Sequence, residues 1–97
     1  MKNNMKPFDK FLPQIQNITN RHGAFNVRLF GSMARGNATD SSDLDLLIDL
    51  APGRDLFDLI SIKQELEAVT GFKVDGVTEN SLSKHLRKII LEEAKPL

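Results

Sequence analysis

Two carboxylates stand one residue apart in Ser42-Asp43-Leu44-Asp45-Leu46. Side chains alternate along a strand, so Asp43 and Asp45 point to the same face. Magnesium takes oxygen ligands at about 2.0–2.1 Å, typically one or two carboxylates plus phosphate and water. Upstream, Gly31-Ser32 follows the apolar run Val27 to Phe30. Glycine lets backbone approach a phosphate closely, and Ser32 with the amides after it can donate hydrogen bonds to it. The combination suits a divalent metal and a nucleoside triphosphate. Two such ions about 3.5–4 Å apart activate an attacking oxygen and stabilise a leaving one, provided a carboxylate bridges them. Asp43 and Asp45 can bridge. Asp75, on the one other expected strand that carries an acid, would complete the cluster.

Other polar side chains read more simply. Asp49 lies further along the face of Asp43 and Asp45 and is expected to be solvated or to pair with a nearby base. Ser32 has no motif linking it to a base and is not read as a nucleophile. His22 reads as a helix-end residue and His85 as part of a solvated helix face, neither with an acid at obvious spacing. Lys84, Arg87 and Lys88 cluster on one helix and read as a solvated face near the negative end of its dipole.

The elements that must hold these residues follow from period and punctuation. Phe8, Phe11, Leu12, Ile15 and Ile18 recur at helical spacing, with Pro13 near the start and Gly23 as the stop. Val27 to Phe30 predicts a short buried strand, ended by Gly31, and Ser32 to Arg35 a short helix. Gly36 to Ser42 is a loop by composition. From Asp43 to Leu50 the chain alternates, with Leu44, Leu46, Ile48 and Leu50 toward a core. A Pro-Gly turn leads to Asp55 as N-cap of a helix carrying Leu56, Leu59, Ile60, Leu66 and Val69, stopped by Gly71. Phe72 to Val77 predicts a third strand. Ser81 is expected to cap a last helix with Leu82, Leu86, Ile89 and Ile90 on one side. Strands interleaved with helices imply an α/β fold, one sheet with helices packed against it.

The chain has 97 residues, 40% of them apolar, which is enough for one core, and one domain over residues 1–97 is expected. A domain this small can draw part of its stability from a partner chain. Thirteen basic residues balance thirteen acidic ones, which argues against a broad nucleic-acid-binding face. No cysteine is present, so disulfides and cysteine-held zinc are excluded. Met1 to Lys10 lacks the apolar core of a signal peptide, and runs such as Ile89-Ile90-Leu91 are too short to span a bilayer. A cytoplasmic protein with no membrane partner is the expectation.

These motifs resemble the signature of the DNA polymerase β-like nucleotidyltransferases, above all their smallest members, the minimal nucleotidyltransferases. Gly31-Ser32-Met33-Ala34-Arg35-Gly36 is similar to their Gly-Ser-x-Ala-Arg-Gly element, and Ser42-Asp43-Leu44-Asp45-Leu46 to their Ser-Asp-x-Asp-Leu element. Lys73-Val74-Asp75 resembles the strand with their third metal ligand, although Gly76 stands where a branched apolar residue commonly follows. Leu56 to Ile60 and Leu86 to Ala94 also resemble that group. The resemblance implies a small mixed sheet flanked by helices, with Asp43, Asp45 and Asp75 as catalytic metal ligands. It further implies two Mg2+ ions, ATP as substrate, and Gly31, Ser32 and Arg35 as nucleotide-binding residues. Proteins of that group commonly act as antitoxin to a HEPN-domain ribonuclease toxin by transferring AMP from ATP to one of its tyrosines. Two alternatives stay open: an antitoxin that neutralises by binding alone, and nucleotidyl transfer to a small molecule or RNA.

Overall fold

The computed structural model describes residues 8–39 and 41–97. The expected loop residue Asp40 and the first seven residues lie outside them. Helix α1 (Leu12–Arg21) carries Pro13 in its first turn, where a missing N–H costs nothing. It ends at His22, and Gly23 then takes a φ of 75° to turn the chain into β1 (Ala24–Phe30). That strand begins three residues earlier than the apolar run predicted. A bulge explains the difference. The register against the next strand shifts between Phe25 and Arg28, and Asn26 sits at a φ of 49°. The extra residue restores the phase, so that both Ala24 and Leu29 are buried.

Helix α2 (Ser32–Arg35) is one turn long, and β2 (Leu44–Leu50) follows the polar loop. Leu44, Leu46 and Ile48 are fully buried on one face of β2, as the alternation predicts. Helix α3 (Leu56–Thr70) opens on a capping box. The Asp55 carboxylate accepts from the Phe57 amide at 2.9 Å, and Asp58 accepts from the Asp55 amide at 3.0 Å. Strand β3 (Val74–Val77) is shorter than expected and leads through a 3-10 turn at Glu79–Ser81 to helix α4 (Lys84–Glu93). Ser83, not Ser81, caps α4, accepting from the Leu86 amide, because Ser81 is already spent closing the 3-10 turn onto Thr78. A two-residue strand β4 (Lys95–Pro96) ends the chain.

The sheet runs β3-β2-β1-β4. Strand β1 is antiparallel to β2 and β4, while β3 is parallel to β2, so the sheet is mixed and flanked by helices. The main core joins Ile15 and Ile18 of α1, Ile62 and Leu66 of α3, and the inward residues of β1, β2 and β3. The apolar stripe of α3 therefore differs from the expected one. Leu59, Ile62 and Leu66 meet the sheet, while Leu56, Phe57, Ile60 and Val69 are exposed. Helix α4 also buries less than expected: Ile90 is its buried residue, and Leu86 and Ile89 are exposed. Among the described residues no helix is long and apolar enough to cross a membrane.

Candidate functional site

Parallel pairing of β2 and β3 sets Asp45 opposite Asp75. The neighbouring pairs face the core: buried Leu44 opposes buried Val74, and buried Leu46 opposes the half-buried Gly76. Alternation then turns both aspartates to the face away from the main core. Asp43 lies just before β2 and is exposed, as is Asp75, while Asp45 is partly buried. Burial, and then the charges of Asp75 and Asp43, push the Asp45 carboxyl from 3.8 up to about 6. Arg35 opposes that shift and Glu93 adds to it. The three acids named from the sequence thus share one electrostatic neighbourhood.

Gly31 abuts this cluster. Its φ is 77°, and a Cβ there would collide with the Asp45 Oδ2 atom and lie 3.2 Å from its Cγ. Only glycine lets the chain pass so close to the carboxylate before turning into α2. Arg35 closes α2 with its guanidinium 2.9 Å from Glu93 Oε1. The Gly31 amide donates to Glu93 Oε2 at 2.7 Å. Gly31, Arg35 and the acids therefore meet at one end of β2, with Ser32 as the first residue of α2. Across the entry loop, the Thr39 amide donates to Ser42 Oγ at 2.8 Å and the Ser42 amide to the Thr39 carbonyl at 3.0 Å, which fixes the approach to Asp43.

Among the described residues, no three His, Cys, Asp or Glu side chains are drawn in tightly enough to enclose an ion. Unscreened carboxylates repel one another, and a cation between them removes that repulsion. Three carboxylates, with Asp45 already under the field of the other two, are the oxygen donors that a hard divalent cation takes. By donor type alone, these carboxylate oxygens are of the kind that magnesium takes.

The residues read as bland divide. Asp49 behaves as a partner for a base: its carboxylate accepts from Arg28 at 2.9 Å and from Asn26 at 3.0 Å. Helix α4 starts at Lys84, so its basic cluster lies in the first half and not near the negative end of the dipole as expected. His85, Lys84 and Lys88 are exposed on it. Arg87 is not, and its Nε is buried without a partner among the described residues. His22 has the acids that its sequence surroundings hid. It contacts Glu65 through Nε2, with Asp58 4.0 Å from Nδ1. Arg21 also binds Glu65, at 2.7 Å, and this cluster ties the end of α1 to α3. The His22 contact, then Arg21, holds the Glu65 carboxyl below its ordinary range. Glu93 is the site residue that sequence reasoning missed. It lies 62 residues from Gly31, and no local spacing could have signalled the contact.

The sequence pattern of the family described as "Nucleotidyltransferase domain" matches residues 12–97. A candidate protein adenylyltransferase of Methanocaldococcus jannaschii is 42% identical over 74 residues, covering 76% of this chain and 80% of the relative. The protein adenylyltransferase MntA of Thermococcus cleftensis is 36% identical over 76 residues, covering 78% of this chain and 77% of that protein. Among solved structures, a candidate minimal nucleotidyltransferase superimposes with a TM-score of 0.80 at 40% identity, covering 99% of this chain and all of that one (100%). A toxin–antitoxin crystal structure with AMP-PNP shares the fold, with a TM-score of 0.74 at 23% identity over 87% of this chain and 69% of that one.

Proposed function

Because this chain belongs to the nucleotidyltransferase domain family, we propose that it transfers AMP from ATP to a tyrosine hydroxyl of a HEPN-domain ribonuclease toxin, acting in the cytoplasm as its antitoxin. The observation that carries this reading is the parallel register that sets Asp45 opposite Asp75, beside a glycine that only its lack of Cβ admits. Asp43 and Asp45 would hold two magnesium ions, and Asp75 the one nearer the acceptor. When bound, magnesium supplies positive charge that lowers the pKa of the attacking hydroxyl and offsets charge on the departing phosphates.

The chain's own residues do the remaining work. Gly31, Ser32 and Arg35 orient the triphosphate so that its α-phosphorus faces the acceptor. The tyrosine oxygen forms a bond to that phosphorus, the bond to the β-phosphate oxygen breaks, and pyrophosphate leaves with the electron pair. The phenolic proton passes to a carboxylate of the cluster. Two features support a protein acceptor. The relatives include proteins named for protein adenylylation, and the start of α3 exposes Leu56, Phe57 and Ile60, a surface of the kind that partners cover.

Replacing Asp43 and Asp45 together with asparagine tests the reading. The purified toxin is incubated with Mg–ATP and either protein, and its intact mass is measured. Wild type should add adenylyl mass, while the double variant should add none and keep a cooperative thermal melt. Undiminished modification by the double variant would sink the assignment. A toxin silenced without added mass, and fully active again after denaturing repurification and refolding, would establish neutralisation by binding instead.

A further inference from the structure

Glu93 sits on the donors that the site offers to phosphate. Its two carboxylate oxygens take the Gly31 amide and the Arg35 guanidinium, one each. Charge-assisted contacts of this kind are strong. The Gly31 amide, then Arg35, holds the Glu93 carboxyl below its ordinary range, so it is fully ionised near neutral pH. A backbone amide has one hydrogen to give, and two anions on one guanidinium repel each other. A phosphate cannot take the Gly31 amide while Glu93 keeps it, and at Arg35 it would meet the like charge of the Glu93 carboxylate.

Helix α4 is also lightly held. Ile90 is its buried residue and stands outside the main core cluster. Leu86, Ile89 and Leu91 are 49%, 44% and 41% exposed. Glu93 and the short pairing of β4 with Arg28 and Leu29 anchor its far end. Lifting that end would unpair β4 from the edge of the sheet but leave β1, β2, β3 and their α1–α3 cover in place.

We propose that Glu93 is an internal anion that competes with the nucleotide's phosphates for Gly31 and Arg35, so that loading the nucleotide displaces the end of α4. This rests on the assignment of Gly31 and Arg35 to the triphosphate. The apparent affinity for nucleotide is then lowered by the fraction of molecules in which Glu93 holds the donors.

The test is calorimetric titration of Mg–ATP, and separately of inorganic tripolyphosphate without metal, into wild type, Glu93→Gln and Glu92→Gln. Glutamine keeps an oxygen for the Gly31 amide but gives up the charge that holds Arg35. Glu93→Gln should bind both ligands about tenfold more tightly. Glu92→Gln makes the same charge change on an exposed neighbour and should match wild type. Equal or weaker binding by Glu93→Gln overturns the competition, and weaker binding makes Glu93 a brace that positions the donors. Hydrogen exchange on the wild-type chain reads the displacement directly. Amides in the last turn of α4 should exchange faster with tripolyphosphate bound, and unchanged exchange would refute displacement. If Asp43→Asn/Asp45→Asn keeps wild-type Mg–ATP affinity, the metal–nucleotide reading fails while the tripolyphosphate result still judges Glu93. If neither ligand binds any variant, both ideas fall.

Discussion

Asp45→Asn should make the metal-free protein more stable, and only above the acid range. Partial burial, and then the like charges of Asp75 and Asp43, raise the Asp45 carboxyl from 3.8 to about 6. In the unfolded chain it returns to its ordinary value. Between those two values the folded state binds more protons than the unfolded one, so stability falls as pH rises. The penalty is fully in force above about pH 6 and absent below about pH 3.8. A shift of roughly two units at about 1.36 kcal/mol each amounts to about 3 kcal/mol before solvent is considered. Asp45 keeps some contact with water, and screening reduces this to about 1–2 kcal/mol. Asparagine has nearly the same shape and no charge. Urea unfolding in EDTA, followed by circular dichroism across a pH series, should show the variant ahead by that amount at about pH 7.5 and level with wild type at about pH 3.5. Magnesium should then narrow the gap at neutral pH, because only the intact carboxylate cluster gains from a cation. A variant that is less stable at neutral pH, or whose advantage is the same at both pH values, would refute the electrostatic account.

Two further changes probe the frame around the site. Gly31→Ala places a Cβ against Asp45 at a φ of 77°, so thermal unfolding should show a loss of about 1–3 kcal/mol; an unshifted melt would mean the Gly31–Asp45 approach is not close. Glu65→Gln removes the anion shared by His22 and Arg21, whose contacts hold the Glu65 carboxyl below 4.5; stability from such a group is present above its unfolded value and lost as pH falls through the folded one, so the variant should melt lower at neutral pH and converge with wild type in acid, and identical neutral melts would refute the clamp.

The parts of the fold carried by short-range pattern were legible. Strand β2 was visible because its period of two left Leu44, Leu46 and Ile48 on one side. Asp55 was visible as a cap because its partner amide lies two residues on. Asp43, Asp45 and Asp75 could be named because a strand fixes which residues share a face, although the Asp45–Asp75 register needed the sheet. Helix α3 was misread in detail because it carries apolar residues on two sides, and only the packed sheet decides which side is covered. Ser81 and Ser83 are chemically equal candidates for a cap, and the 3-10 turn between β3 and α4 separates them. The Glu93 and His22 contacts join residues more than 40 positions apart, 62 for Glu93–Gly31 and 43 for His22–Glu65, and leave no local trace.

The register of β2 against β3 ties chemistry to stability. A one-residue slip would turn Asp75 toward the interior and bring Val74 out to water, so misalignment of the acids is penalised as misfolding before it can appear as poor catalysis. The same packing explains the tolerance of Gly76, since a larger residue would press on Ile48 Cδ1, 3.3 Å from an added Cβ. Selection acting only on whether this small protein folds would therefore also preserve the spacing of its acids. Folding alone places little constraint on the exposed faces of α3 and α4, while the alignment of Asp45 with Asp75 is inherited along with the core.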